Sequence, residues 1–419
     1  MSLLLFWVTM ISKLSSKINA TRPRPKAFDL FAGCGGLSQG LSMAGFDVCW
    51  ANEYCKAAAQ TYRISHSSTL LFEEDARSLL SRVIDKEAGL PLPGEVDLLA
   101  GGPPCQGFSG FNRHRKPKDP RNSMLEVFLG FVRQLKPRMV LIENVPGLLT
   151  LDDGKLAQVL LRSLDGLRYK CKVGLLQAGY YGIPQNRWRT FVVATSEGTA
   201  LPSFPIPTHD FPRIIIHGSG KIKVGPEIIK PDTCDYKNLK LFSCVNVGDA
   251  ISDLPKIGLG NLKESRKYSS HPQTAYQRLL RNGSVQVRDH VCPKVEPVTL
   301  ERIRAVPRKP GAGWLDLPEH LKPANLKRYG DSRYANRYGR LDWGTVFNTI
   351  LTRPHPYWSR VIHPVENRLL SVRECARAQS FFDTAVFHGT MTEKFKQIGN
   401  AVPPFLAHKI GEALMASFI

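Results

Sequence analysis

The sequence predicts an α/β fold: a doubly wound, mostly parallel sheet into which an irregular second domain is inserted. Three observations lead to this prediction. Short apolar runs alternate with helical stretches from residue 28 to about residue 190, as they do in doubly wound sheets. Residues 139–142 are wholly apolar, which is typical of a central parallel strand. Residues 191–370 show weak periodicity and recurring Pro, Gly, Arg and Lys, which indicates irregular structure.

The individual elements follow in chain order. Four apolar runs are predicted to be buried strands, at residues 28–31, 48–52, 96–100 and 139–142. Helical patterns are found at residues 123–134, 372–379 and 405–416. We therefore expect an N-terminal tail, a first domain, an inserted domain and a C-terminal return to the first domain, at residues 1–27, 28–190, 191–370 and 371–419.

The charge of the chain points to a polyanionic partner. Its 419 residues include 57 basic and 36 acidic side chains, a formal net charge of +21. Such an excess favours nucleic acid as a partner, although a merely soluble basic enzyme is the alternative. Residues 191–370 contain 27 basic and 16 acidic side chains, which suits a module that contacts phosphates. The 42% of hydrophobic residues excludes a fibrous or mostly disordered chain.

Neither a metal site nor a membrane segment is expected. The nine cysteines are widely spaced and form no C-x-x-C pair, so a reducing compartment fits better than a disulfide framework. Because no Cys or His ligands cluster, we expect no structural zinc. The apolar run at residues 3–11 is too short to span a bilayer, and no Lys or Arg precedes it, which disfavours a secretory signal.

A glycine-rich turn follows the first predicted strand and opens a helix, with the sequence FAGCGGL at residues 31–37. Glycines let the backbone approach a ligand closely, and a helix N-terminus favours polar or anionic groups. By itself this pattern fits a dinucleotide equally well. Glu53 ends the next strand, where an acid can accept both ribose hydroxyls of a nucleotide. The alternative for Glu53 is a surface acid at a strand end.

Cys105 lies in a more specific loop, GGPPCQGFS at residues 101–109, directly after a predicted strand. A lone cysteine is usually a small buried apolar residue. Here two prolines stiffen the approach, and the flanking glycines allow a close-fitting loop. This context indicates a nucleophilic thiolate at the mouth of the sheet. The basic run that follows either lowers the thiol pKa, binds phosphate or is solvated: Arg113, His114, Arg115, Lys116 and Lys118.

Two further motifs place charged side chains near the mouth of the sheet, where Cys105 is expected. Glu143 ends the most apolar strand, where a carboxylate is costly unless it is paired or takes part in chemistry. Such a group suits proton sharing with a ring nitrogen. Residues 185–189, QNRWR, alternate along a predicted strand and would place Gln185, Arg187 and Arg189 on one face. Two arginines on one face suit a base oxygen or a phosphate, and a basic edge strand is the alternative.

In combination these motifs resemble the DNA (cytosine-5) methyltransferases. In chain order they are FAGCGG, the Glu53 acid, GGPPCQGFSG, ENV, QNRWR, RECARAQSF and GNAVPP. VRECARAQSF, YGRLDW and IGNAVPP are most similar to the catalytic region of the eukaryotic maintenance-type enzyme. The resemblance covers residues 28–415. It implies a sheet of the S-adenosylmethionine-dependent methyltransferase type, with residues 28–190 as the catalytic and cofactor-binding domain and residues 191–370 as the target-recognition domain.

The resemblance also assigns roles to individual residues. Those that would bind S-adenosyl-L-methionine are Phe31, Gly33, Gly35, Gly36, Leu37, Glu53, Tyr54, Asp75, Asn400 and Val402. The catalytic set would be Cys105, Glu143, Arg187 and Arg189. Cys105 would attack C6 of a flipped cytosine, Glu143 would stabilise the proton on N3, and Arg189 would contact O2 with support from Arg187. The base must leave the stack because the ring face is hidden in the duplex.

The sequence departs from the family before YGRLDW. The zinc-bearing insertion of the maintenance enzyme has clustered cysteines there, whereas residues 327–333 contain none. A tryptophan and a leucine that help hold the parental methyl group in the family align with Tyr334 and Arg337. We expect the charged guanidinium of Arg337 to reach water or phosphate. Discrimination between hemimethylated and unmethylated DNA should then be weak.

The leading interpretation is therefore methylation of cytosine C5 in double-stranded DNA, at CpG, by a monomeric nuclear enzyme. With this interpretation we expect a role in epigenetic regulation, chromatin-associated protein partners and no association with a membrane. A cytosine methyltransferase acting on transfer RNA is the second hypothesis, but that branch of the family typically carries a CFT tripeptide and this chain has none. An inactive nucleic-acid-binding scaffold is the third. The presence of Cys105, Glu143, Arg187 and Arg189 argues against it.

Overall fold

The computed structural model describes residues 23–104, 124–150, 154–212, 228–229, 240–327 and 334–418. Ten strands lie in these ranges: β1 (Lys26–Leu30), β2 (Asp47–Asn52), β3 (Leu70–Phe72), β4 (Leu98–Gly101), β5 (Met139–Asn144), β6 (Tyr169–Gln177), β7 (Trp188–Ser196), β8 (Ile228–Ile229), β9 (Ser265–Lys267) and β10 (Gln286–Arg288).

The first eight strands form one sheet in the order β3-β2-β1-β4-β5-β7-β6-β8. Neighbouring strands are parallel except that β7 runs antiparallel to β5 and β6. The strand order reverses between β1 and β4, and ligands of open α/β sheets bind outside the carboxyl ends of the strands at such a point. The predicted doubly wound, mostly parallel sheet is thus confirmed.

Thirteen α-helices lie in the described ranges: α1 (Gly36–Ala44), α2 (Lys56–Ser65), α3 (Ala76–Ile84), α4 (Met124–Leu135), α5 (Gly147–Thr150), α6 (Lys155–Gly166), α7 (Val247–Ile251), α8 (Ala275–Arg281), α9 (Pro297–Ala305), α10 (Ala324–Lys327), α11 (Val372–Ala378), α12 (Met391–Asn400) and α13 (Pro404–Met415). Their starts follow local chemistry. Ser371 and Glu374 form a capping box on α11, and Thr390 and Glu393 form one on α12.

The chain divides into two compact units. The sheet unit comprises the described residues of Ser12–Tyr181, Trp188–Phe242 and Val402–Ile419. Every residue of β5 is buried in it, as expected for a parallel strand covered on both faces. The C-terminal helix α13 belongs to this unit because small residues let it approach α1 closely. A Cβ atom on Gly40 would lie only 2.3 Å from the Cβ of Ala407.

The irregular unit comprises Gly182–Arg187 and Ser243–Ala401. Its described residues form short helices and the antiparallel ribbon of β9 and β10. The core includes the buried side chains of Ile303, Trp314 and Ile362. Arg340 is also buried there and donates to backbone carbonyls, including those of Ile303, Val306 and His363. Hydrogen bonds from a buried arginine to backbone carbonyls thus help to hold this core together.

These units differ from the expected domains at two boundaries. The boundary expected after residue 190 falls inside β7, whose backbone hydrogen bonds hold it in the sheet through Ser196. Residues 371–401 belong to the irregular unit and do not return to the sheet. A buried ion pair explains why residues 371–401 belong to the irregular unit, because Arg377 of α11 is paired with Asp253. The return to the sheet unit therefore begins at Val402. Within the described ranges, no helix is both long and apolar enough to cross a membrane.

Candidate active site

The glycine-rich turn joins β1 to α1 and leaves regular backbone geometry at three residues. Phe31, Gly33 and Gly35 have φ angles of 60°, 59° and 89°, in the left-handed region that favours glycine. A Cβ atom on Gly33 would meet no atom within 4 Å, so open space lies beside the turn. Gly36 begins α1, and Leu37 anchors the helix with a buried side chain. The turn therefore offers room for a ligand next to a helix N-terminus.

Glu53, directly after β2, lies against this turn. Its Oε2 accepts a hydrogen bond from the Gly33 N–H at 2.9 Å, and its Oε1 accepts one from the Cys55 N–H at 2.7 Å. Both carboxylate oxygens are therefore held by backbone donors. The carboxylate is thus held next to the open space at Gly33, as the binding of ribose hydroxyls requires.

The other predicted cofactor residues have different settings. Tyr54 follows Glu53 and is 71% exposed, which leaves its ring available for stacking. Asp75 follows β3, the sheet neighbour of β2, and caps α3 by accepting from the Arg77 N–H. Val402 is buried in the sheet unit. Asn400 ends α12, in the irregular unit. A direct hydrogen bond thus joins Glu53 to the glycine-rich turn. For the other four residues, the structure gives the position of each relative to the strands, helices and compact units.

A buried acid lies in the strand that precedes the turn. Asp29 of β1 is fully buried, and its Oδ2 accepts a hydrogen bond from Ser38 Oγ at 2.6 Å. Burial raises the pKa of Asp29 to about 7, against the opposing effect of the Ser38 hydrogen bond. Ser38 Oγ also lies 2.8 Å from the Tyr62 hydroxyl. This chain of polar groups connects β1, α1 and α2.

A second set of predicted residues meets at the carboxyl ends of β4 and β5. Glu143 Oε1 forms an ion pair with Arg189 Nε at 2.8 Å, and both side chains are buried. A Cβ atom on Gly102 would lie 3.1 Å from Glu143 Oε2. Glu143 therefore lies between Arg189 and the backbone that leads, three residues later, to Cys105. Cys105 itself and the basic run after it lie outside the described residues.

Gln185 and Arg187 do not share a strand face with Arg189, contrary to the expectation. Strand β7 begins only at Trp188, and both side chains are buried in the irregular unit. Arg187 donates to the backbone carbonyls of Ile350, Gly399 and Ala401. Alternation in the sequence resembles a strand here, but buried polar groups must find hydrogen-bond partners. Arg187 therefore holds the backbone on either side of Asn400 by hydrogen bonds to the carbonyls of Gly399 and Ala401.

Arg337 was expected to reach water or phosphate, but its side chain is buried against aromatic rings. Its side chain is only 7% exposed. The guanidinium carbon lies 4.0 Å from the ring centre of Tyr334 and 4.4 Å from that of Tyr357. Attraction between a cation and the negative faces of aromatic rings accounts for this position. The guanidinium thus occupies one face of Tyr334.

Sequence reasoning assigned no role to two residues near the site. Asn144 donates to the Pro103 carbonyl at 3.2 Å, and its own Oδ1 accepts from the Val145 N–H. It thereby fixes the start of the Cys105 loop, and its place directly after Glu143 was a usable signal. His66 contacts the glycine-rich turn through Gly35, and no pattern in the sequence pointed to it. No group of three or more Cys, His, Asp or Glu side chains in the described part of the chain could hold a metal ion.

Comparisons with known proteins agree on one family. A family model described as C-5 cytosine-specific DNA methylase matches residues 26–416. DNA (cytosine-5)-methyltransferase PliMCI of Paracentrotus lividus is 35% identical over 92% of this chain and 28% of its own length. DNA (cytosine-5)-methyltransferase 1 of Gallus gallus is 34% identical over 94% of this chain and 30% of its own length. The chain thus spans less than a third of these relatives.

Two solved structures share the fold. One is encoded within an E. coli prophage and described as a DNA modification methyltransferase, with a TM-score of 0.66 and 24% identity over 94% of this chain and 99% of its own. The other is the Dnmt2 methyltransferase of S. pombe, with a TM-score of 0.52 and 14% identity over 94% of this chain and 99% of its own.

Proposed function

Since the chain belongs to the C-5 cytosine-specific DNA methylase family, we propose that it transfers a methyl group from S-adenosyl-L-methionine to C5 of cytosine in double-stranded DNA. The Glu143–Arg189 ion pair is the observation that carries the proposal. The pair lies at the carboxyl end of β5, beside Gly102. A buried acid and a guanidinium side by side suit a ring that presents both a basic nitrogen and a carbonyl oxygen.

The cofactor fits the turn on three grounds. Open space adjoins Gly33, the Glu53 carboxylate is hydrogen-bonded to the Gly33 N–H, and the exposed Tyr54 ring can cover a purine. S-adenosyl-L-methionine supplies an electrophilic methyl group when bound. Phe31, Gly35, Gly36 and Leu37 would shape the wall of its site through the turn. Asp75, Asn400 and Val402 would complete the set that the family resemblance assigns.

The proposed reaction divides the work among three side chains. The Cys105 thiolate attacks C6 of a flipped cytosine, forming an S–C6 bond and moving the C5=C6 electron pair towards C5. Glu143 holds a proton on N3 and Arg189 contacts O2, so that negative charge does not accumulate on the ring. C5 would then bond the methyl group as the bond between that methyl and the sulfonium sulfur breaks, with S-adenosyl-L-homocysteine as the leaving group. Loss of the C5 proton to water would restore the C5=C6 bond as the S–C6 bond breaks, and Cys105 would leave as a thiolate.

Transfer of a labelled methyl group to matched DNA and RNA substrates tests this function. We expect label in duplex DNA containing CpG and none in a transfer RNA transcript. Label in the RNA alone would support the RNA methyltransferase instead. Binding of DNA without transfer to either would support the inactive scaffold. We further propose that the protein acts on CpG in nuclear chromatin, as a monomer with chromatin-associated partners.

Affinity for DNA should depend steeply on salt. Residues 191–370 carry an excess of basic side chains, and each phosphate that they neutralise contributes a log–log slope of about −0.9. With about six phosphate contacts, we expect roughly a thousandfold loss of affinity between 50 and 200 mM salt. Fluorescence anisotropy of a labelled duplex measures this. A flat response would show that these charges do not contact the duplex.

Hemimethylated and unmethylated duplexes should be used at rates within about tenfold of each other, which corresponds to ~1.4 kcal/mol. A buried methyl group is worth only about 1 kcal/mol, and it needs a tight apolar surface. Arg337 places a cation on one face of Tyr334, which is a poor surface for a methyl group. The kcat/KM ratio on duplexes differing only by the parental methyl checks this. A ratio of several tens would show that other residues form the methyl pocket.

A further inference from the structure

His66, at the C-terminal end of α2, contacts the glycine-rich turn directly. Its Nε2 lies 3.1 Å from the carbonyl oxygen of Gly35. A carbonyl oxygen only accepts hydrogen bonds, so Nε2 carries the proton and donates. Burial lowers the pKa of His66 to about 4, and the ring is therefore neutral near pH 7. The Gly35 carbonyl oxygen also accepts from the Gln39 N–H, and the Gly35 N–H donates to the Ala32 carbonyl.

The shape of the turn matches the histidine ring. Gly35 has a φ angle of +89°, a conformation that L side chains rarely adopt. A Cβ atom at this position would lie 2.2 Å from His66 Nε2 and 3.1 Å from Tyr62 Cδ2. The missing side chain of Gly35 thus makes the space that the imidazole occupies. The turn is held on one side by Glu53, through Gly33, and on another by His66, through Gly35.

Tyr62 fixes the position of the His66 ring. The two ring centres are 4.5 Å apart. Ser38 Oγ contacts Asp29 Oδ2 at 2.6 Å and the Tyr62 hydroxyl at 2.8 Å. Tyr62 is therefore tied to β1 and α1, the two elements that the turn connects. Any movement of the His66 ring away from Gly35 must disturb this packing.

We propose that His66 is a positioning residue for the cofactor, because its hydrogen bond to Gly35 holds the glycine-rich turn in the left-handed conformation that lines the open space at Gly33. This inference rests on the proposed function, since it takes S-adenosyl-L-methionine as the ligand of the turn. His66 acts through the backbone of Gly35 and does not touch the reacting atoms. Its loss should weaken cofactor binding and leave chemistry at saturating cofactor unchanged.

Two substitutions at one position separate the hydrogen bond from the rest of the side chain. In His66→Gln the amide nitrogen can take the place of Nε2, whereas the shorter side chain in His66→Asn cannot reach Gly35. Isothermal titration of the full chain with S-adenosyl-L-methionine should show a three- to tenfold higher Kd for His66→Asn, the usual effect of one neutral hydrogen bond. His66→Gln should remain within twofold of the wild type. The KM for the cofactor should follow Kd, and kcat should not change.

His209→Asn is the matched control. His209 is buried in the same compact unit and is also neutral, since burial lowers its pKa to about 4. We expect this variant to lower the melting temperature but to keep the wild-type Kd. Equal Kd values for His66→Asn and His66→Gln, or a Kd that rises equally in His209→Asn, would overturn the inference alone. A folded wild-type chain that binds no S-adenosyl-L-methionine would overturn the proposed function and the inference with it.

Discussion

Glu143→Gln should lower kcat for methyl transfer by roughly two to four decades, the usual scale of acid–base assistance. Glutamine keeps the shape of the side chain, and its amide can remain beside Arg189 Nε, which lies 2.8 Å from Glu143 Oε1. It cannot supply or hold a proton on N3 of the base. Binding of S-adenosyl-L-methionine should be unchanged, because Glu53 and His66, rather than Glu143, hold the glycine-rich turn. Single-turnover transfer and cofactor titration measure the two effects separately.

Glu126→Gln gives the matched control for this prediction. Glu126 is an exposed acid on α4 of the same compact unit, and its substitution removes the same charge from the protein. We expect its kcat within a factor of two of the wild type. If Glu143→Gln retained more than about a tenth of wild-type turnover, the assignment of proton sharing to Glu143 would be wrong.

Arg377→Met should have the largest effect on stability, a loss of about 3–5 kcal/mol. Arg377 is fully buried and pairs with both Asp253 and Asp383, which are buried as well. Methionine has a similar length but leaves these carboxylates without their shared partner. Arg281 still contacts Asp253, and it cannot replace the contacts to Asp383. Urea denaturation followed by fluorescence measures the shift of the unfolding midpoint.

The pH dependence of this effect identifies its cause. Burial would raise the pKa of Asp383, but Arg377, with smaller contributions from Arg373 and Tyr268, holds this pKa below the ordinary value of 3.8. The carboxylate therefore stabilises the wild-type fold above pH 3.8, and this contribution is lost as pH falls through the lower folded-state pKa. In Arg377→Met burial is no longer opposed by Arg377, and Asp383 binds a proton more readily. The stability difference between the two proteins should shrink as pH is lowered.

Lys309→Met is the comparison for this second prediction. Lys309 pairs with Asp316 at 2.7 Å in the same compact unit, but its side chain is largely exposed. Exposed pairs contribute about 0–1 kcal/mol, so we expect little change. An Arg377→Met midpoint no lower than that of Lys309→Met would show that the buried pairs do not stabilise the irregular unit.

The sheet, and the residues at the carboxyl ends of its strands, could be predicted from the sequence for a physical reason. Parallel strands that are buried on both faces read as apolar runs, and Met139–Asn144 is such a run. Because the carboxyl ends of parallel strands meet at one edge, residues that follow different strands become neighbours. Gly33 and Glu53 are hydrogen-bonded in this way, and Gly102 lies against Glu143. The chain order of the motifs was therefore enough to predict both groups.

The surroundings of Arg187 and Arg337 could not be predicted, because a sequence records charge but not hydrogen-bond partners. Alternation at residues 185–189 fits a strand, yet Arg187 binds three carbonyls that come from residues 350, 399 and 401. Arg337 was expected to reach water or phosphate, but its guanidinium lies against the rings of Tyr334 and Tyr357. In both cases the partners are brought in by tertiary packing. The same holds for His66, whose partner Gly35 is 31 residues away.

The most direct test of the account is the identity of the methylated nucleoside. Duplex DNA containing CpG is incubated with S-adenosyl-L-methionine and the full chain, digested to nucleosides and analysed by mass spectrometry. We expect 5-methyl-2′-deoxycytidine with the wild type, and none with Cys105→Ser, because an alcohol is a far weaker nucleophile at neutral pH. Substantial 5-methyl-2′-deoxycytidine from Cys105→Ser, a methyl group on an exocyclic nitrogen, or no methylated nucleoside from the cofactor-bound wild type would contradict it.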